Sequence, residues 1–198
     1  MSEMKIEEWE RSRRAAISRL LQDIHKGLVD SDIQDWLLKI NSVSNDLFTT
    51  SSCSGRIVVL RSYKLTDKRG SKKIFVEHDP ERCMEICKII RYCSDYLKFN
   101  ELIWVSLQPP VIHFKARNET IAKTIVSCAR ESGFIRACYR EEGIGYYFVE
   151  VSVHDKLHII CPVDCSVLLG VCEMLYEYKK KLYKFEKCML NAFMRGHS

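Results

Sequence analysis

The apolar positions along the chain change period several times, and each change marks an element. From Lys5 to Ile24, the residues Ile6, Trp9, Ile17, Leu20, Leu21 and Ile24 recur at roughly helical spacing, and Gly27 supplies a stop. Asp30 or Ser31 then caps a second helix carrying Ile33, Trp36, Leu37 and Ile40. The stretch FTTSSCSGR, residues 48–56, breaks the periodicity with six small or hydroxyl side chains from Thr49 to Ser54, and reads as a helix-to-strand connection. Ile57 to Tyr63 is rich in β-branched residues and Ile74 to His78 forms a second run. KLTDKRGSKK between them, with Asp67 and Gly70, makes a β-hairpin turn.

Asp79-Pro80-Glu81 predicts a helix start, because Asp accepts from free N–H groups and Pro suits the first helical position. Cys83, Cys87, Ile90, Ser94 and Leu97 share one face of that helix up to Lys98. Leu102 to Leu107 and Val111 to Lys115 flank Gln108-Pro109-Pro110 and read as a second strand pair, with the prolines at a strand end or edge. Asn118 caps a helix over Glu119 to Glu131 that turns Ile121, Ile125 and Cys128 inward and ends at Gly133. Strands over Phe134–Arg140, Tyr146–Val153 and Leu157–Cys161 follow, and Asp164 caps a last helix to about Phe193. The order ααββαββαβββα, hairpins joined by helices, is α+β: an antiparallel or mixed sheet with flanking helices. A loose echo of strand pairs between the halves is what an internal duplication would leave. No long linker divides the chain, so residues 1–198 are expected to form a single domain.

Composition narrows the class. With 198 residues, 46% hydrophobic and 29% charged, the chain can bury an ordinary core and is neither disordered nor collagen-like. No apolar run reaches membrane-helix length, and MSEMKIEEWERSRR is too charged for a secretory signal, so a cytoplasmic protein is expected. Among ten cysteines there is no C-x-x-C pair and no histidine at zinc-finger spacing, so no metal is expected. The C-x-x-x-C-x-x-C pattern of an iron–sulfur enzyme fails at Ile90 and at Leu168. Most cysteines sit among aliphatic residues as small core hydrophobes, while disulfides form in intracellular proteins of hyperthermophiles; the sequence leaves both open.

The net charge of +5 is unevenly placed: Arg11, Arg13, Arg14 and Arg19 lie on the first helix, and Lys179, Lys180, Lys181, Lys184 and Lys187 on the last. Such helices suit a polyanion, although solvated faces with Glu173, Glu177 and Glu186 interspersed account for them equally well.

Among catalytic motifs, neither G-x-G-x-x-G after a first strand nor G-x-x-x-x-G-K-[ST] occurs, and Gly143-Ile-Gly145 reads as a hairpin turn. A nucleophile elbow would need glycine where Thr50 stands. What remains is the 48–56 block. Its short side chains let backbone N–H groups and hydroxyls approach a ligand, Gly55 allows an unusual dihedral, and Arg56 grips a carboxylate or phosphate. A self-satisfied connection is the equal alternative. Cys53 is a thiol beside Arg56, or a buried structural cysteine. His78 closes a strand and His113 lies in the strand after Pro109-Pro110; each alone reads as a structural histidine, and the two converge with Arg56 if all three share one sheet edge. Ser132-Gly133-Phe134 is a helix end whose aromatic ring is either core or a stacking surface for a base.

Taken in order, Lys26-Gly27-x-Val29-Asp30-x-Asp32, Asn41, the block Phe48 to Ile57, His78, Pro109-x-Val111-Ile112-His113 and Ser132-Gly133-Phe134 resemble the tRNA wybutosine-synthesising protein 3 family. The likeness weakens to Ser152, Pro162 and a basic final helix, with Gln108 and Ala137-Cys138 departing from the family pattern. The resemblance implies a methyltransferase that uses S-adenosylmethionine to methylate N4 of the 4-demethylwyosine base at position 37 of phenylalanine tRNA. It implies catalytic roles for His78, His113 and Arg56, and cofactor contacts from Ser51, Ser52, Ser54, Gly55, Ser132 and Gly133. Arg56, Phe134, Lys179, Lys180 and Lys184 would contact substrate, the basic helices holding the anticodon arm. Two other classes remain beside it: a non-catalytic RNA-binding module, and a small-molecule enzyme with Cys53 as nucleophile.

Overall fold

The computed structural model describes residues 3–63, 70–91, 101–143, 145–154, 156–161 and 163–194. Asp67, the Ser94-to-Lys98 end of the third expected helix, Ile144 and Pro162 lie outside them. In chain order the elements are α1 (Glu3–His25), α2 (Gln34–Val43), β1 (Leu47–Cys53), β2 (Arg56–Ser62), β3 (Lys72–Glu77), α3 (Ile86–Ile90), β4 (Leu102–Gln108) and β5 (Val111–Ala116). There follow α4 (Glu119–Glu131), β6 (Cys138–Glu141), β7 (Tyr147–Ser152), β8 (Leu157–Ile160) and α5 (Cys165–Met194). Short 3-10 turns at Ser31–Ile33 and Cys83–Glu85 precede α2 and α3. The strands form two antiparallel sheets of four, in the orders β1-β5-β7-β6 and β3-β2-β4-β8, so the class is α+β as the pattern predicts.

Several expectations change. The strand expected over Phe134–Arg140 is confined to Cys138–Glu141, because Phe134 still belongs to the end of α4, and the helix expected from Asp79-Pro80-Glu81 begins at Ile86 after a turn and a 3-10 segment. FTTSSCSGR is not a connection: residues 47–53 form β1, hydrogen-bonded to β5 from Leu47↔Ala116 to Cys53↔Val111, with an irregularity between Thr49 and Ser51. Leu47, Phe48 and Thr49 are buried together and Thr50 to Cys53 are exposed or half-buried, so the apolar alternation that announces a strand is missing. Gln108-Pro109-Pro110 does not close a hairpin either, because β4 and β5 belong to different sheets. Two successive prolines supply no N–H to a ladder and hold φ fixed, which ends one strand and starts another instead of turning back.

The residues divide into two compact units: Met1–Ser54, Pro110–His154 and Lys181–Ser198 in the first, Gly55–Pro109 and Asp155–Lys180 in the second. In the first, Ile112, Phe114, Val149 and Val151 form the buried face of the β1-β5-β7-β6 sheet. Phe185 of α5 meets Phe114, Phe134 and Trp36 with ring centroids 6.1, 5.6 and 5.7 Å apart. Each such buried ring contributes about 1.5–3 kcal/mol of transfer free energy. On the other face α1 covers one end, where Trp9 packs on Phe48 at 4.9 Å and Tyr146 at 5.3 Å. In the second unit, Ile57, Val58 and Val59 of β2, Ile103, Val105 and Leu107 of β4, and Cys83, Ile86, Ile90, Leu168, Val171 and Leu175 from the helical segments are all buried.

Four cysteines pair, resolving the open alternatives: Cys128–Cys188 ties α4 to α5 in the first unit, and Cys83–Cys172 ties the 3-10 turn to α5 in the second. Cys87 is buried, and burial, with a hydrogen bond to Cys165, pushes its thiol up to about 11. Among the described residues no helix is long and apolar enough to cross a membrane, and no cluster of His, Cys, Asp or Glu is arranged for a metal ion.

Candidate active site

Successive side chains of a strand alternate between faces, so with Phe114 in the core, His113 and Lys115 point to the opposite, more open face. The register places Ser51 of β1 directly across from His113, and His113 directly across from Glu150 of β7. The side chains follow: Ser51 Oγ lies 2.7 Å from His113 Nδ1, and His113 Nε2 lies 3.7 Å from Glu150 Oε2. Phe148 flanks the row, its ring centroid 5.0 Å from that of His113, with the Arg140 guanidinium 4.3 Å from the Phe148 centroid. A hydroxyl, an imidazole and a carboxylate thus run across three strands, beside an aromatic ring and a cation. The arrangement can pass a proton from the serine to the imidazole while the carboxylate offsets the charge.

Two buried contacts hold β1 in this register. Asn41 of α2 accepts the Thr49 amide at 2.9 Å, donates to Thr49 Oγ1 at 2.7 Å and donates to Leu37 O at 2.7 Å. That side chain supplies an acceptor where the ladder slips, between Thr49 and Ser51. Asp30, one of the two residues that the pattern offers as a cap for the second helix, makes no side-chain cap; its Oδ2 accepts the amide of the fully buried Ser54 at 2.7 Å. Arg13 likewise serves structure: its guanidinium donates to the carbonyls of Asn41 and Ser44 at the end of α2, and desolvation lowers its pKa.

In the second unit, Arg56 opens β2 opposite Gln108, and its Nε donates to Gln108 Oε1 at 2.8 Å. Ile57 pairs with Glu77, so the register carries His78 to the position opposite Arg56. Because Gln108 is neutral, this hydrogen bond orients the guanidinium without cancelling its charge. Lys179 Nζ donates to Gly55 O at 3.1 Å, and Gly55 has φ +84°, which only glycine adopts without strain. His78 and Arg56 therefore share one sheet end, while His113 belongs to the other unit.

The remaining expected residues fall in three places. Ser52 and Ser51 line an open groove between α1 and β1 of about 410 Å³, and Cys53 ends the strand opposite Val111. Ser132, Gly133 and Phe134 close α4: Ser132 Oγ donates to Cys128 O, the Gly133 amide to Arg130 O at φ +94°, and the Phe134 amide to Ala129 O. Phe134 is fully buried against Phe185, on the core side of the sheet. On α5, Lys180 pairs with Glu177 at 2.6 Å and lies over Tyr176, Lys187 lies over Tyr183, and Lys184 is exposed. Glu150, Phe148 and Arg140 were not singled out in the sequence. Their signal is visible only in retrospect, as a carboxylate, a ring and a cation alternating out of β6 and β7.

The α+β fold, without a glycine-rich nucleotide fingerprint, lies outside the doubly wound scaffolds, and the hydroxyl–imidazole–carboxylate row on its open sheet face is of a kind suited to acid–base chemistry. The chain belongs to the family described as methyltransferase TYW3, whose model matches residues 11–194. It is 34% identical over 128 residues to the tRNA(Phe) 7-((3-amino-3-carboxypropyl)-4-demethylwyosine(37)-N(4))-methyltransferase of Saccharolobus solfataricus, covering 64% of this chain and 58% of that protein. To the enzyme of the same name numbered 1 from Pyrococcus horikoshii it is 27% identical, over 96% of this chain and 98% of that one. The solved structure of the PH1069 protein from Pyrococcus horikoshii has the same fold, with a TM-score of 0.79 at 24% identity over 92% of this chain and 96% of that chain.

Proposed function

We propose that the protein methylates N4 of the 4-demethylwyosine-type base at position 37 of phenylalanine tRNA, in the cytoplasm, with residues 1–198 acting as one methyltransferase domain. The observation that carries this beyond family membership is the row Ser51–His113–Glu150, since N-methylation must remove a proton from the nitrogen it alkylates. S-adenosylmethionine supplies, when bound, an electrophilic methyl group on a sulfonium. The chain offers it a fitting place: a groove lined by Ser51 and Ser52, whose 410 Å³ lies within the range of small-ligand pockets. These two serines would hold the cofactor. Ser54 and Gly55 would keep the strand end in position, Ser54 through its bond to Asp30.

On this reading Ser51 Oγ accepts the N4 proton as its own hydroxyl proton passes to His113 Nδ1, and Glu150 stabilises the resulting imidazolium through Nε2. Phe148 would offer its face to the tricyclic base. Arg56 and His78 would hold a tRNA phosphate in the second unit, with the Arg56 guanidinium oriented by Gln108. Ser132, Gly133 and Phe134 would act by closing α4 beneath the sheet. The tRNA arm would rest on α5, where Lys180 over Tyr176 and Lys187 over Tyr183 alternate cation and ring, with Lys184 exposed between them.

The test is transfer of labelled methyl from S-adenosylmethionine to tRNA isolated from cells blocked at this step. The expected result is label on the position-37 base of phenylalanine tRNA alone. Binding of that tRNA with no transferred label would make the protein a non-catalytic RNA-binding module. Methyl transfer abolished by alkylating Cys53 would revive the thiol reading.

A further inference from the structure

We infer that the groove between α1 and β1 is a subsite for a 3-amino-3-carboxypropyl group, a zwitterionic α-amino acid end. This rests on the function proposed above. The groove carries charges of both signs with a small apolar floor: Arg19 and Lys115 bring cations, Asp23 a carboxylate, Ala15 and Ala16 leave space, and Ser51 joins it to the proton row. Lys115 is already paired with Glu142 at 3.2 Å. Arg19 and Asp23, four apart on α1 and therefore on one face, make no ion pair with each other or with another side chain among the described residues.

Opposite charges one turn apart on a helix gain only a small stabilisation by pairing, and with the base preceding the acid, as here, the gain is at the low end. Here both line the same cavity, where a guanidinium matches a carboxylate and a carboxylate matches an ammonium. An α-amino acid end presents that pair of groups on one carbon. Phosphate would be repelled by Asp23, and a plain aromatic ligand would use neither charge.

Two ligands of the proposed reaction carry this group. S-adenosylmethionine bears it on sulfur, and the base named in the relatives' descriptions bears it at position 7. Either source places its reacting end beyond the groove, toward Ser51. The subsite would then set distance and orientation in the manner of a positioning clamp.

Arg19→Gln and Asp23→Asn, on a solvent-facing helix surface, test this by binding, with methyl transfer kept as a control. Calorimetry with S-adenosylhomocysteine reads the cofactor source. Affinity for phenylalanine tRNA bearing 4-demethylwyosine, with and without the 3-amino-3-carboxypropyl group, reads the base source. Each variant is expected to weaken one of the two by about tenfold or more, the loss of a charge-assisted hydrogen bond, and to leave the other unchanged. If Arg19→Gln weakened both tRNAs equally, the residue would be an ordinary phosphate contact and the subsite would be refuted. Unchanged affinities in both arms, with wild-type protein still methylating, would refute the subsite and leave the function standing. A wild-type protein that transferred no methyl would remove both.

Discussion

A serine hydroxyl takes a proton only if something removes its own, and on the proposed reading the imidazole 2.7 Å from Ser51 Oγ would do so. The three side chains of the row should therefore differ in weight. Ser51→Ala is expected to cost about 10²-fold in methyl-transfer rate, within the range for one acid–base partner. Glu150→Gln, 3.7 Å from the ring, should cost nearer tenfold, because it tunes the imidazolium and does not carry the proton. Rapid-quench measurement of the transfer step separates the two, and an equal loss in both variants would contradict the assigned order. Gln108→Glu makes a separate prediction: a carboxylate 2.8 Å from Arg56 would neutralise it, weakening tRNA binding about five- to tenfold and flattening its salt dependence. Salt titration of the binding constant checks this, and unchanged affinity would take Arg56 out of the tRNA contact. At this scale the sequence was informative about single residues and silent about partners. His113 and Ser51 stand out by type and motif, whereas Glu150 lies in no motif and acquires meaning only through its place across from His113 in the ladder.

Elements decide whether those side chains meet. The strand β1 has too few apolar positions to hold itself in register, so Asn41 holds it through the Thr49 amide and Asp30 through the amide of Ser54, just past its end. Asn41→Ala would leave the Thr49 amide and hydroxyl buried without this partner and should cost about 2–3 kcal/mol. Asp30→Ala should cost about 2 kcal/mol, or roughly 4–8 °C in Tm for a chain of this size. Thermal melts of both variants check the figures; losses under 0.5 kcal/mol would mean the strand holds its own register. Much of the element pattern was legible: caps at Asn118 and Asp164 accept the amides expected of them, and the hairpin of β2 with β3 forms as its β-branched runs indicate. The misread strands have separate causes. β1 lacks alternation because Leu47, Phe48 and Thr49 are buried together, and β4 and β5 look like a hairpin because neighbouring strands usually are one.

Across the molecule, the long helix α5 contributes residues 165–180 to one unit and 181–194 to the other, and each unit ties its share down with a disulfide. The bridges close sequence separations of 89 and 60 residues, for which chain entropy alone gives about 4 kcal/mol each. Reduction under native conditions should lower Tm markedly, and a melt indifferent to reductant would show that the bridges stabilise little. Cys87 behaves differently. Its thiol, raised to about 11 from 9.0 by burial and its bond to Cys165, stays protonated through neutral pH. Its stabilising effect is therefore complete below about pH 9 and is lost as pH rises toward 11. Iodoacetamide at neutral pH should label exposed Cys138 and spare Cys87. The fold class and the family were legible because hairpins, caps and an ordered set of motifs span the chain; the grouping of strands into two sheets was not, since no local pattern says which sheet a strand joins. The central claim is that the row across β1, β5 and β7 moves the proton of an N-methylation. The most direct test is the single-turnover rate of methyl transfer to 4-demethylwyosine tRNA by wild-type and His113→Ala proteins, with tRNA affinity measured alongside. The account predicts a fall of about 10²–10³ in rate with affinity changed less than about threefold. A wild-type rate in the variant, or a loss explained wholly by weaker binding, would contradict it.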